Sequence, residues 1–355
     1  VKSEKNSPGA RLLLAFLFSL FTFPFLTGCA EPPPYKQQAY VFGTLVEISI
    51  QGETEEKARR VAAQVLKDFD QLHHMLHAWE PGALERMNAI LAQAPARASI
   101  SPGIAPIIED ATRYSVQSEG LFNPAIGNLV RLWGFHSDTF APRLPEKAEI
   151  ERLVAADPRM TDVVMEGLQF YGTNPAVRID LGGYAKGYAL DLAATYLRSQ
   201  EVKNALVNIG GNILALGRHG DRPWRVGIQH PRKAGAIASL ELADGEAIGT
   251  SGDYQRYFEL DGRRYCHLID PRTGWPAQGV QAVTVLARGE KAGTLSDVAS
   301  KPPFIAGASG WRRMADRMGI REALFIDAEG RISVTAPLAG RLEWEPEVPA
   351  ATVVP

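Results

Sequence analysis

The 355-residue sequence is poor in cysteine and in net charge: it holds 2 Cys and carries a formal charge of -2. Cys29 and Cys266 stand in such different contexts that they do not form a disulfide framework, and neither suits a zinc site. The balance of charges gives no electrostatic reason to expect nucleic acid, which demands a clustered basic surface, and no nucleic acid is expected as a partner. A repeat of short period is also missing. One long apolar run occurs, Leu12 to Leu26, and it is shorter than the ~20 residues that span a bilayer comfortably. Hydrophobic residues nonetheless make up 45% of the chain, enough to bury the core of one large domain or two fused lobes.

Lys2, Lys5 and Arg11 precede that apolar run, which ends Leu26-Thr27-Gly28-Cys29. Basic residues, a short apolar stretch and small residues describe a signal peptide over residues 1–28. The last four residues resemble a lipobox, at which cleavage leaves Cys29 as a lipid-carrying N-terminus. An uncleaved anchor helix is the alternative, disfavoured by the short run and by Glu31 and Pro32-Pro33-Pro34 directly after it. Either reading puts the folded part on the periplasmic side of the cell membrane, and several acyl chains hold a protein there stably where one does not. Residues 29–38 read as a stiff proline-rich spacer, residues 39–335 as the domain and 336–355 as a tail.

Within the domain, Ala39 to Ile50 alternates and is rich in β-branched and aromatic residues, which predicts a strand. Glu55 to Leu76 has helical spacing of apolar positions, and a second helix is expected over Gly103 to Glu119. The stretch Gly120-Leu121-Phe122-Asn123-Pro124 then breaks the pattern as a ligand-facing loop. From Val177 the order is strand, tight turn at Leu181-Gly182-Gly183 and helix from Tyr184 to Ser199, with Ala185, Ala189, Leu192, Ala193 and Tyr196 on one face. Further β-rich stretches cover Ala205 to Leu216 and Arg264 to Asp270, the latter ending in the turn Pro271-Arg272-Thr273-Gly274. Strands and helices mix without regular βαβ alternation, which points to α+β, a single large domain of two related lobes with mixed or antiparallel sheets flanked by helices.

Three groups of residues carry chemical potential. In Asp180-Leu181-Gly182-Gly183-Tyr184-Ala185-Lys186-Gly187, a lysine in the first turn of a helix opposes the helix dipole and calls for an anion nearby. Glycines there let backbone N–H groups approach a phosphate, although a glycine pair between strand and helix is as often only a tight connection. In the second group, a hairpin through Asp261-Gly262 would bring Thr250 to Tyr254 beside Cys266-His267-Leu268. His267 is then either a buried histidine bonded to backbone or a general base for a hydroxyl. Neighbours in a strand face opposite ways, so Cys266 reads as a half-buried structural thiol rather than a partner of His267. In the third, Asp297 either caps a helix or holds magnesium through oxygen.

Taken in order, FGTLVEISI, GLFNPAIGNLVRLWGF, IDLGGYAKGYALD, LVNIGGNILALG, IGTSGDYQRYFELDGRRYCHLIDPRTG and the segment around Asp297 resemble the FAD:protein FMN transferase family, also called ApbE-like. The resemblance runs from about Ala39 to about Asp327, and the fit of FAD between the two lobes is part of what it implies. It assigns Phe42, Trp79, Gly120, Leu121, Phe122, Asp180, Lys186, His267 and Leu268 to the flavin pocket, with the aromatic rings stacking on flat ligand rings. It assigns His267 and Asp297 to catalysis. It also implies Mg²⁺ held by the Gly183 carbonyl, Asp297 and a threonine four residues beyond. The implied reaction moves FMN from FAD onto a threonine or serine hydroxyl of an acceptor protein, with AMP leaving. Such acceptors are subunits of membrane redox complexes.

The match departs at Lys301, which stands where that threonine is expected. Like charges about 4 Å apart repel by roughly 4 kcal/mol at an effective dielectric near 20, and a divalent ion doubles this. Either Lys301 points away and Ser300 or water substitutes, or Lys301 itself meets the diphosphate, or catalysis is lost. Asn123 and Asn212 also stand where relatives carry aspartate. Beside transfer, two readings stay open: hydrolysis of FAD to FMN and AMP, and a non-catalytic periplasmic FAD-binding lipoprotein.

Overall fold

A computed structural model describes residues 32–355 apart from Asp138 and Phe140. The signal peptide and Cys29 lie outside the described residues. A nine-stranded sheet organises the domain. Its strands are β1 (Tyr35–Val41), β2 (Thr44–Gln51), β3 (Asn204–Ile209), β4 (Asn212–Leu216), β5 (Ala247–Gly252), β6 (Val280–Ala287), β7 (Glu322–Asp327), β8 (Ile332–Thr335) and β9 (Thr352–Val354). Their order across the sheet is their order in the chain. Every neighbouring pair is antiparallel except β8 and β9, which run parallel. The α+β class and the mixed sheet flanked by helices match the expectation from sequence.

Both faces of this sheet are covered, and the burial of β6 shows it: every residue from Val280 to Ala287 is buried. Successive side chains point to opposite faces, so the two faces belong to different cores. Val283, Val285 and Ala287 join the cluster that includes Val65 and Phe69 of helix Glu55–Leu76, Ala189 and Leu190 of helix Ala185–Ser199, and Val298 of helix Ala292–Ala299. Ala282 and Leu286 join a second cluster with Trp224, Val226, Ile237 and Leu240, contributed by the antiparallel strands Trp224–Gln229 and Ala236–Leu242. A third cluster, around the fully buried Trp133, packs helices Gly127–Leu132 and Lys147–Ala155 against the hairpin Tyr257–Leu260/Arg263–Cys266.

The predicted strand Ala39 to Ile50 is in fact two strands. Phe42 and Gly43 both adopt positive φ (56° and 68°), the geometry of a two-residue type I′ turn, and Val41 pairs directly with Thr44. The first of these strands begins at Tyr35, so the spacer is shorter than residues 29–38. Val177 to Asp180 is not a strand; it offers one parallel bridge, Arg178 to Ile126. Arg264 to Asp270 stops being a strand at Cys266. Helix Ala185–Ser199 buries Ala185, Ala189, Leu190, Ala193, Ala194 and Leu197, whereas Leu192 is exposed. Its buried face is turned by one residue from the predicted one because helix Ala292–Ala299 occupies the side next to Gly187. Residues 336–355 add a helix (Ala336–Ala339), a strand paired to Ser239 and Ala238, and β9. None of the helices of the described residues is long and apolar enough to cross a membrane.

Two helices that meet on the sheet hold each other by their ends. Asp191, on helix Ala185–Ser199, accepts hydrogen bonds from the N–H groups of Gly293 (2.7 Å) and Thr294 (2.8 Å) and from Thr294 Oγ1 (2.6 Å). Asp297, on helix Ala292–Ala299, accepts one from the Gly187 N–H at 2.9 Å. Each carboxylate thus satisfies N–H groups that a first helical turn leaves without partners. The contact needs glycine: a Cβ on Gly187 would stand 2.4 Å from Gly293 O and 2.6 Å from Asp297 Cβ.

Gly187→Ala therefore reverses the usual benefit of alanine in a helix, which is about 1 kcal/mol. Chemical denaturation will show it destabilised by about 1–3 kcal/mol, the ordinary range for overpacking. Gly340→Ala, where a Cβ meets nothing within 4 Å, will stay within about 0.5 kcal/mol of the parent.

Candidate active site

The segments inserted between neighbouring strands of the sheet converge on one cleft of about 770 Å³. That lies within the ~300–1,000 Å³ usual for sites that take a cofactor-sized ligand. The β1–β2 turn brings Phe42; the end of helix Glu55–Leu76 and the chain after it bring His73, His77 and Trp79; the loop before Trp133 brings Leu121 and Phe122. The long insertion between β2 and β3 also supplies Asp180, Gly182, Gly183 and Lys186, that between β5 and β6 His267 and Leu268, and that between β6 and β7 Asp297 and Lys301. Thr250 and Ser251 reach the cleft from β5 itself.

One wall is aromatic. Phe42 keeps its positive φ and packs on Phe69 and on the edge of His73, with ring centroids 5.9 and 5.6 Å apart. A bulky residue in that conformation is strained, and packing on two sides holds it. Trp79 donates its indole N–H to Asp180 Oδ2 at 3.2 Å, under the guanidinium of Arg178 at 4.4 Å from the ring centroid. Asp180 Oδ1 accepts the Gly182 N–H at 2.8 Å. A single carboxylate thereby fixes both the tryptophan and the glycine turn. Gly120 takes another role than the one implied for it: at φ 78° it closes the helix Ala105–Gln117, its N–H bonded to Ser115 O at 2.8 Å, and it does not line the cleft.

The opposite part of the cleft is cationic. Lys186 lies in the first turn of helix Ala185–Ser199, and its ammonium has no hydrogen-bond or ion-pair partner among the described residues. Burial pulls its pKa below the ordinary lysine value, against the pull of Asp297, and Lys301 and Arg256 add to the depression. His267 is held by two bonds to one carbonyl: its backbone N–H and its ring Nδ1 lie 3.0 and 3.2 Å from Arg256 O. A carbonyl only accepts, so the proton sits on Nδ1 and the Nε2 lone pair is left to accept. Burial, then Lys186 and Arg256, lower its pKa to about 3. In the free protein His267 is neutral, because burial first and its cationic surroundings next disfavour the charged imidazole. Cys266 points the other way, into the core, and burial raises its thiol pKa to about 12. That agrees with the structural role read from sequence.

Lys301 does not point away. Its Nζ donates to Asp297 Oδ1 and to Asp297 O, both at 2.6 Å, and its Cε packs against Gly183 so closely that a Cβ there would stand 2.8 Å from it. Ser300 is no substitute ligand, because its Oγ is engaged with Ser251 Oγ at 2.7 Å and Asp297 O at 2.8 Å. With Oδ2 taken by Gly187 and Oδ1 by an ammonium, the donor set of Gly183, Asp297 and residue 301 does not fit a divalent cation. No cluster of three or more His, Cys, Asp or Glu among the described residues offers another. Both carboxylate oxygens of Asp297 thus already hold donors of the protein itself, one from Gly187 and one from Lys301. Pro302-Pro303 belong to the first turn of helix Lys301–Ala306, where a missing N–H is tolerated. Asn123 bonds Pro158 O and the Ala125 N–H and so shapes its own loop, and the buried Asn212 starts β4.

Sequence reasoning passed over His73, His77 and Arg256. The spacing His73 to His77 at the end of a helix was a signal, since residues four apart share a face. Nothing local marked Arg256, whose carbonyl orients His267 and whose Nη2 donates to Phe135 O and Ser137 O.

The chain is similar to known proteins over most of its length. The ApbE family model matches residues 42–325. An FAD:protein FMN transferase of Rhodobacter capsulatus is 42% identical over 314 residues, 88% of this chain, and this chain spans 59% of that relative's length. An FAD:protein FMN transferase of Klebsiella pneumoniae is 33% identical over 71% of this chain and 77% of its own. Among solved structures, the ApbE protein of Thermotoga maritima superposes with a TM-score of 0.78 at 29% identity, covering 87% of this chain and 99% of that one. The flavin transferase ApbE of Vibrio cholerae does so at 0.75 and 25% identity, over 87% and 100%.

The histidines will separate in a pH titration followed by NMR of the ring protons. His74, raised by its bond to Asp70 O and by the Asp70 charge, protonates well before His267 as pH falls. His267 keeps its neutral signature until about pH 3. Because the unfolded chain binds that proton from about 6.5 downward and the folded protein does not, the neutral burial of His267 lowers stability as pH falls between those values. A His267 signal that moves near neutrality would contradict its placement.

Proposed function

The chain belongs to the ApbE family, and from that membership and the cleft we propose that it is an FAD:protein FMN transferase, moving FMN from FAD onto a threonine or serine hydroxyl of an acceptor protein. The observation that carries the reading is the convergence of Lys186, whose ammonium makes no direct ion-pair contact among the described residues, and the neutral His267 at one end of a cleft whose other wall is aromatic. Flat rings pack against Phe42, Trp79 and Phe122. The diphosphate lies by the glycine turn, where the N-terminus of helix Ala185–Ser199 and Lys186 supply positive charge.

The reaction then runs as a displacement at phosphorus. The acceptor hydroxyl oxygen attacks the FMN-side phosphorus, an O–P bond forms, the bond to the bridging oxygen breaks, and AMP leaves. The hydroxyl proton passes to Nε2 of His267. A base held at about 3 is weak, but its low value comes in part from the charges of Lys186 and Arg256. The bound diphosphate offsets those charges and raises it toward the working range. Preorganised cations meet the charge that grows on the leaving phosphate.

The acceptor is a protein, and the proposal places it among membrane redox subunits outside the cytoplasm. This chain would be held beside it by lipid on Cys29, after removal of residues 1–28. The support for that part is the run Leu12 to Leu26 with Leu26-Thr27-Gly28-Cys29. Tethering raises the local concentration of enzyme near such an acceptor.

The test is incubation of the protein with FAD and an acceptor subunit, followed by mass spectrometry of the acceptor. A mass gain equal to bound FMN is expected, and His267→Gln will slow it by about 10²–10⁴-fold while FAD still binds. Release of FMN and AMP without modification of the acceptor would make the protein a hydrolase. Intact bound FAD would make it a carrier.

A further inference from the structure

Lys301 is a partly buried ammonium beside a buried carboxylate, at the wall of a cleft that takes a diphosphate on the reading above. We propose that Lys301 is a resident cation that replaces a divalent metal, so that this chain binds FAD through direct contact of the Lys301 and Lys186 ammonium groups with the diphosphate. The inference rests on the flavin reading and concerns what neutralises its phosphates.

Three observations support it. The Lys301 ammonium has three donors, two of which go to Asp297 O and Oδ1, leaving one for a ligand in the cleft that Lys301 lines. Asp297 is 1% exposed and both its carboxylate oxygens are engaged, by Lys301 and by the Gly187 N–H, so a metal would first have to break that pair. The side chain is confined by the close pass of its Cε against Gly183, the same turn that presents Lys186. An ion pair that only stabilised the helix would not need to sit between this turn and the cleft. Relative to a divalent ion the arrangement carries one positive charge fewer.

The experiment measures FAD affinity of the full chain, by quenching of flavin fluorescence, in chelator and in millimolar Mg²⁺. A second readout is uptake of Mn²⁺, followed by loss of its free-ion EPR signal in the presence of FAD. The wild type should bind FAD equally under both conditions and leave Mn²⁺ free. Lys301→Thr should lose about tenfold or more in chelator and regain it with Mg²⁺, while taking up Mn²⁺. Lys301→Met, which keeps the packing on Gly183, should lose a similar factor that Mg²⁺ does not restore. Tightening of wild-type binding by about tenfold with Mg²⁺ would overturn the inference, as would undiminished binding by Lys301→Met. Absence of FAD binding by the wild type in either condition would instead refute the flavin reading, and this inference with it.

Discussion

Reciprocal capping by Asp191 and Asp297 is the constraint on which the rest of the site depends. Each carboxylate sits on one of two crossing helices and receives N–H groups from the start of the other. A buried carboxylate is tolerable only when its oxygens are satisfied, and here the satisfaction doubles as the joint between the helices. The joint demands the close approach at Gly187, and that approach sets where Lys186, one residue earlier, can be. The second oxygen of Asp297 then locates Lys301. A cationic floor is thus positioned by a helix crossing rather than by flexible loops.

The sheet makes this possible because its strands follow chain order, so the segments that line the cleft, apart from Thr250 and Ser251, are excursions between two neighbours. Such excursions return to a rigid frame within one strand spacing, which keeps residues far apart in sequence at reproducible distances. Trp79 and Asp180 illustrate the point: 101 residues apart, they share a hydrogen bond in the cleft wall. Covering the far face with the strands Trp224–Gln229 and Ala236–Leu242 leaves the helical side free to carry the site.

Legibility varied with the range of the interactions concerned. Helix Glu55–Leu76 was readable because the periodicity of Val61, Val65, Phe69, Leu72 and Leu76 lies within a few residues and Thr54 caps its start. The hairpin at Asp261-Gly262 was readable because its turn chemistry is local, with both residues at positive φ. The turn at Phe42-Gly43 escaped because an aromatic residue there takes a strained conformation that only packing against Phe69 and His73 supports. Gly120 was readable as a helix break, and it closes helix Ala105–Gln117; a glycine that ends a helix and one that admits a ligand look alike in sequence.

The ordered motifs by themselves determined the family, the α+β class and the segments that meet in the cleft, because residue type and spacing along the chain are enough to mark strands, turns and a helix start. Charge states and the fate of the metal site were decided only in three dimensions. His267 is an ordinary imidazole in sequence, and becomes a neutral one through burial beside Lys186 and Arg256. Lys301 is an ordinary lysine in sequence, and becomes the partner of a buried carboxylate because Gly183 leaves room for its chain. Electrostatic energy depends on distance and on exclusion of water, and neither quantity is written along the chain.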